Sequence, residues 1–314
     1  MIRWGVIGAG NIAHRFCEAL KSQKDSELYA VSCRSEQKAF AFQEEFPCKK
    51  AYGTFQAIID DEKIDAVYVA LPHMYHYEWV IKALVAKKAV ICEKPAMMSS
   101  EQMKKVKEVA IENNTFFMEA MKSRVVPLYR ELVKRVDEIG EIQKVITSFC
   151  NISEYQENAY HYQPVQGGCL LDLGIYNTAF LVDFLQGDYT MEVNDVTFYE
   201  NGIELYIYAT MTYSNGTVGI LETAFDRKKE NFVVLEGTKG KIVIPLLHRP
   251  EMMEIHKDGN IEIVEKKYEI DDFYSQIDHS CTCIASGKIE SEINTFDRSI
   301  RAIEIIENIN ALIR

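Results

Sequence analysis

Proline is scarce in this chain, 7 residues in 314, and tryptophan scarcer still at 2. So little proline beside 17 tyrosines, 15 phenylalanines and 47% hydrophobic residues excludes a disordered or linker-like polypeptide. No C-x-x-C pair occurs, and the 8 cysteines are scattered through segments that read as strands and helices. The opening MIRWGVIGAGNIAHRF is strand-like for roughly seven residues before charges interrupt it, too short for a secretory signal. Reduced, buried thiols and a cytoplasmic location are therefore expected. His279, Cys281 and Cys283 gather soft ligands but lack a second ligand pair at zinc spacing, so no metal is expected there and the cluster's role stays open. Positive charge is also in deficit, 35 Lys and Arg against 47 Asp and Glu, a net of −12. A phosphate backbone repels such a surface, and no Lys/Arg stripe offsets it, which argues against nucleic acid. No run approaches the ~20 apolar residues that span a bilayer, so no membrane partner is expected.

What is present divides into two textures. At ~150 residues per domain the length suggests two domains. Over the first 120 residues strands and helices alternate. Ile2–Ile7, Leu28–Cys33, Ala66–Leu71, Ala89–Cys92 and Thr115–Ala120 read as strands; the helices are 11–22, 37–46, 75–87 and 99–113, the last capped by Ser99 or Ser100. The runs AVYVAL and AVIC are apolar at consecutive positions, which fits parallel strands buried on both faces. Beyond residue 121 the pattern changes. A helix over 126–138 stops at Gly140, and two-residue alternation follows, with Glu204–Tyr213, Asn215-Gly216 and 218–225 forming a hairpin signal. Lys241–Ile244 and Ile261–Tyr268 continue it, and 295–312 is helical with Ile300, Ile303, Ile306 and Ile309 on one face. The expected fold is α/β: a doubly wound parallel sheet in residues 1–121, then an α+β domain, 122–314, with a large, mainly antiparallel open sheet.

Four motifs carry chemistry. Gly8-x-Gly10-x-x-Ala13 follows a strand and opens a helix beginning Asn11-Ile12. Gly8 allows a tight turn, Gly10 a close backbone approach to a pyrophosphate, and the helix N-terminus presents free N–H groups to it. Second, the next strand ends Ser32-Cys33-Arg34-Ser35, with no carboxylate for a ribose 2′-hydroxyl. A guanidinium between hydroxyls suits a 2′-phosphate, which favours NADP, with NAD still possible. The third is Cys92-Glu93-Lys94-Pro95, at the strand end where open α/β sheets bind ligands; alone it is also an ordinary charged turn. Leu71, Pro72 and His76 end the preceding strand on the same edge, with His73 close by as a satisfied local histidine. Finally, in GGCLLDLGIY, Asp172 and Tyr176 stand four apart and share a face if a helix starts there; a capping Asp and a packed Tyr fit equally.

In order and spacing, GVIGAGNIA, ICEKPAM and GGCLLDLGIY resemble the Gfo/Idh/MocA oxidoreductase family, closest in look to its dihydrodiol dehydrogenase and glucose–fructose oxidoreductase branches. Met118-Glu119-Ala120-Met121 with Arg124 and Pro127 adds to that likeness. The resemblance implies a Rossmann domain, an open C-terminal sheet, and dimers or tetramers built through that sheet. It places Lys94 as catalytic lysine and Asp172 as the aspartate of Asp-x-x-x-His/Tyr, with Tyr176 where many sugar dehydrogenases carry His. It also implies cofactor contacts at Gly8, Gly10, Asn11, Ile12, Ser32, Arg34, Leu71, Pro72, His76, Glu93 and Lys94. Gln166 replaces the first glycine of the family's usual triplet, and its role, like that of His161, stays open.

The expected reaction is hydride transfer between NAD(P) and the carbonyl or hydroxyl carbon of a small sugar, polyol or diol. Tyr176 is the expected acid/base, its phenolate favoured by the Lys94 ammonium, with Asp172 orienting Lys94 and Lys94 as direct base the second assignment. The competing reading is a non-catalytic, dinucleotide-sensing regulatory protein on the same scaffold.

Overall fold

Six short, apolar strands build the first sheet of the computed structural model, which describes residues 1–314. Its elements run β1 (Ile2–Ile7), α1 (Asn11–Leu20), β2 (Ser26–Ser32), α2 (Glu36–Glu45), β3 (Lys50–Tyr52), α3 (Phe55–Asp60), β4 (Ala66–Val69), α4 (His76–Val85), β5 (Ala89–Cys92), α5 (Ser100–Glu112) and β6 (Phe117–Glu119). The strands are all parallel, in the order β3-β2-β1-β4-β5-β6. All residues of β4 and β5 are buried, as strands covered on both faces must be. The order reverses between β1 and β4, which opens a crevice at their C-terminal ends.

The remainder comprises α6 (Pro127–Arg135), β7 (Ile142–Cys150), α7 (Ile175–Phe184), β8 (Tyr189–Phe198), β9 (Glu204–Tyr213), β10 (Val218–Ala224), β11 (Phe232–Gly237), β12 (Gly240–Pro245), β13 (Met252–Lys257), β14 (Asn260–Glu265), α8 (Asp272–Ala285) and α9 (Phe296–Ile313). Strands β7 to β14 form one sheet ordered β14-β13-β12-β11-β7-β10-β9-β8. It is antiparallel except for β7 beside β10, whose parallel register aligns Ile146 with Ile220. Parallel neighbours need a long crossover, and the segment through α7 is part of it. One face is dry: Val145, Leu221, Val233 and Ile242 are fully buried.

Two compact units result. The first holds residues 1–97, 101–125 and 269–296; the second holds 98–100, 126–268 and 297–314. The first therefore takes back a late segment that a linear division at residue 121 assigns elsewhere. The reason is packing: Phe273, Ile277 and Cys281 of α8 join Trp4, Phe16, Tyr68 and Ile91 in one core. All 8 cysteines are free thiols, and only Cys48 is not fully buried. No helix is long and apolar enough to cross a membrane.

Candidate active site

In the first unit, the turn after β1 is shaped by what cannot fit there. Gly8 has φ +105°, and a Cβ on it would strike the Ala70 carbonyl at the end of β4 and crowd Leu71. Only glycine takes that conformation and lets the two strand ends approach. Gly8 N–H donates to Ser32 O at 2.9 Å, fastening the turn to β2 as well. Gly10 then serves as N-cap of α1 with no side-chain cap, and a Cβ there would meet nothing within 4 Å. Ala13 and His14 N–H donate to Gly10 O, and the N-terminal end of α1 is open beside exposed Gly10 and Asn11, as a phosphate-binding helix end requires. These residues fit a dinucleotide.

At the end of β2 the expected trio divides. Ser32 is fully buried and its hydroxyl donates to Val6 O at 3.4 Å, while the Ser35 hydroxyl caps α2 by accepting from Lys38 N–H. Arg34 is the exposed group, its guanidinium 5.8 Å from the centre of the Tyr75 ring. Tyr75 has no counterpart in the sequence reading, because 41 residues separate it from Arg34.

Across the crevice, Glu93-Lys94-Pro95 is held by buried groups. The Tyr68 ring stacks on Phe16 of α1 at 3.9 Å, and its hydroxyl donates to Glu93 Oε1. Glu93 Oε2 accepts from Lys94 N–H at 3.3 Å, and Ala96 N–H donates to Glu119 Oε1 at 2.9 Å. The Lys94-Pro95 peptide is cis. His76, wholly buried, places Nδ1 3.0 Å from Pro95 O and Nε2 2.7 Å from Leu71 O. Burial pulls the imidazole below its usual value while these carbonyls pull it upward, and the ring sits between two strand ends. Arg124, fully buried, donates to Asn294 Oδ1 at 2.9 Å, and Asn294 Nδ2 donates to Glu119 O at 2.6 Å.

Burial also raises the Glu93 carboxyl above the 4.5 of a free glutamate. The folded chain then keeps a proton that the unfolded chain releases first. Stability from this group is full below 4.5 and is lost as pH rises through the folded value. Wild type should thus lose stability relative to Glu93→Gln as pH climbs from about 4 towards 7. Urea unfolding of both proteins across that range measures it; parallel curves would refute the assignment.

The second unit carries the other half of the motif set. Gly168 has φ +106°, and a Cβ on it would run into the Glu204 carboxyl; one on Gly167 would strike the His161 carbonyl. Both glycines are required by close packing, and Gly168 N–H donates to His161 O at 2.9 Å. Buried Gln166 turns back on Gln163, Nε2 to Oε1 at 2.8 Å. The next turn, Leu170–Gly174, is π-helical and contains Asp172; α7 follows, with Tyr176 in its first turn. The expected common helical face is thus divided between a π turn and an α turn. Tyr176 is 6% exposed, its ring edge-on to Phe149 (5.7 Å) and to His248 (6.0 Å), which stack on each other at 4.5 Å. His248 lies 72 positions beyond Tyr176, and nothing in its local sequence signals the pairing.

Residues 2–121 match the model of an oxidoreductase family with an NAD-binding Rossmann fold, and 129–243 match the GFO/IDH/MocA C-terminal domain. A scyllo-inositol 2-dehydrogenase (NADP(+)) of Bacillus subtilis is 28% identical over 98% of this chain and 95% of its own. The trans-1,2-dihydrobenzene-1,2-diol dehydrogenase of Xenopus laevis is 31% identical over 77% of this chain and 75% of its own. Among solved structures, a 3-ketoreductase from Actinomadura kijaniata, in complex with NADP and TDP-benzene, superposes with a TM-score of 0.87. That pair is 26% identical, covering 99% of this chain and 97% of the other.

Proposed function

The chain belongs to the Gfo/Idh/MocA oxidoreductase family, and from that premise we propose that it oxidises and reduces a ring CH–OH/C=O centre of a sugar, polyol or diol with NADP(H). The observation that carries this reading is the glycine turn at the switch point, shaped for a dinucleotide and followed by intact Lys94, Asp172 and Tyr176. Relatives named for a cyclic polyol, a cyclic diol and a ketone set the substrate class.

Bound nicotinamide supplies the hydride acceptor, or in reverse the donor. The chain supplies the proton chemistry. Oxidation releases the alcohol O–H proton, which the Tyr176 oxygen takes and, in the reverse direction, returns. In this reading, which follows the family likeness, Lys94 is the group that steadies charge on the substrate oxygen and Asp172 is its orienting partner. A positioned acid/base contributes about 10²–10⁴ in rate. The test is NADPH oxidation or NADP reduction across a panel of inositols, aldoses and cyclic diols. Tight cofactor binding with no turnover on any of them would favour the sensor reading instead.

Cofactor choice rests on Arg34. Fluorescence titration should show NADPH binding at least about tenfold tighter than NADH, and Arg34→Ala should remove most of that preference, since a bidentate guanidinium–phosphate contact is charge-assisted. Tighter NADH binding would overturn it.

The second sheet offers the surface for self-association. Its uncovered face carries an apolar row across four strands, Ile220, Ile146, Val234 and Val243, each only half-buried. Such a stripe fits a second copy of the same face, giving a homodimer or a homotetramer. Ile146→Lys should then lower the mass measured by sedimentation, whereas a monomeric wild type would refute the proposal. The free thiols suit a reducing compartment, the cytoplasm.

A further inference from the structure

Helix α8 carries His279 and Cys283 four residues apart, on one face, and the loop after it brings back Glu292. His279 Nε2 lies 3.6 Å from Cys283 Sγ, Sγ lies 3.8 Å from Glu292 Oε2, and all three ligand atoms fall within 4.8 Å of one another. Around a tetrahedral ion with bonds of ~2.0–2.3 Å, neighbouring ligand atoms stand roughly 3.5 Å apart. Two of the three separations already match that figure. Both cysteines join the core of the first unit, but the Cys281 thiol turns to Ser26 and Trp4 and lies outside the ligand group. Glu292 takes its place from nine positions beyond Cys283.

The hydrogen bonds around the cluster suit a cation. Ser291 Oγ accepts from Ile293 N–H at 3.1 Å and from Asn294 N–H at 2.9 Å, which uses both of its lone pairs. Its remaining contact, 2.7 Å to His279 Nε2, is therefore one in which the hydroxyl donates. The imidazole therefore carries its proton on Nδ1 and leaves the Nε2 lone pair to the Ser291 hydroxyl, 3.6 Å from the thiol. Lys288 Nζ donates to Glu292 Oε2 at 2.7 Å and holds the carboxylate at the mouth of the cluster. His279 and Cys283 are buried and Glu292 is exposed, so the site has a dry floor and a solvent-side entrance.

We propose that His279 Nε2, Cys283 Sγ and Glu292 Oε2 bind one thiophilic divalent cation of the zinc class, with water as fourth ligand. A thiolate beside an imidazole selects such an ion over magnesium or calcium, which take oxygen ligands. Binding releases the thiol proton to solvent, and the ion replaces the Ser291 hydrogen on the Nε2 lone pair. The ion ties α8 to the loop whose Asn294 holds Arg124 and the Glu119 carbonyl.

The probe is cobalt(II) chloride added to the chelator-treated full-length protein, followed by zinc chloride. The expected result is a thiolate-to-cobalt charge-transfer band saturating at one equivalent per chain and abolished by zinc. Cys283→Ser should eliminate the band, Cys281→Ser should leave it intact, and the exposed Glu292→Gln should weaken binding by about tenfold or more. No band in the wild type, or an equal band in Cys283→Ser, overturns the site. Should Cys283→Ser fail to fold, Glu292→Gln decides, and unchanged cobalt affinity in that variant refutes the proposal.

Discussion

Replacement of Tyr176 by Phe is expected to lower turnover by about 10²–10⁴, and Lys94→Met to do the same, with the fold retained in both. Tyr176→Phe removes a single oxygen. The ring contacts with Phe149 and His248 remain, so the variant tests proton transfer with little disturbance of packing. Lys94→Met keeps most of the aliphatic stem and deletes the charge. If the two groups serve one oxygen, as proposed, their losses should not add: the double variant should be about as slow as the slower single one. The measurement is kcat for one substrate in both directions, with NADPH affinity followed by fluorescence. Loss of turnover in Lys94→Met alone would make Lys94 the base. Near-normal turnover in both would end the mechanism.

The largest expected effect on stability comes from a residue outside the chemistry. Asp272 opens α8 and is 2% exposed. Arg15 of α1 donates to its Oδ1 at 2.5 Å, and Lys122, beyond β6, donates to its Oδ2. Both cations also lie over the Phe273 ring, at 4.3 Å and 5.2 Å. Asp272→Asn keeps the volume but takes the carboxylate from buried Lys122 and the nearer of two from Arg15, whose Nη2 also lies 3.9 Å from Asp271 Oδ2; removing one member of a buried ion pair costs about 3–5 kcal/mol. Lys122 is buried as well, which keeps water from offsetting the loss. By contrast, Glu18→Gln breaks an exposed pair with Lys21 and should cost under about 1 kcal/mol. Both tryptophans, Trp4 and Trp79, lie in the first unit, so their fluorescence in urea reads the unit that Asp272 holds together. Equal midpoints for wild type and Asp272→Asn would show that the triad contributes nothing.

The legible parts of the site were the local ones. Gly8 and Gly10 announce themselves because a turn that tight, followed by a helix, requires them within three residues. Glu93-Lys94 is legible as the end of an all-apolar strand. Arg34 was visible, but its neighbours' engagement was not: whether Ser32 faces a surface or Val6 O depends on which way the strand turns its side chains. His76 reads as a ligand-side histidine; that its ring also lies between two carbonyls from other strand ends has no local sign.

Unaided, the sequence determined whatever short-range physics decides. The doubly apolar strands, the hairpin at Asn215-Gly216 and the isoleucine face of the last helix all follow from spacing within a few turns or strand residues. β3 and α3 are too short, at 3 and 6 residues, to show a period, whereas β7, β8, β11, β13 and α8 are longer and are likewise not expected from the sequence. Tertiary structure alone decided what depends on distant segments meeting. The parallel pairing of β7 with β10 is one case. The return of α8 to the first core is another, as is a carboxylate on Asp272 facing a guanidinium 257 positions away. Such contacts leave no local trace, because burial and charge compensation reward them only after the chain has closed the loop between them.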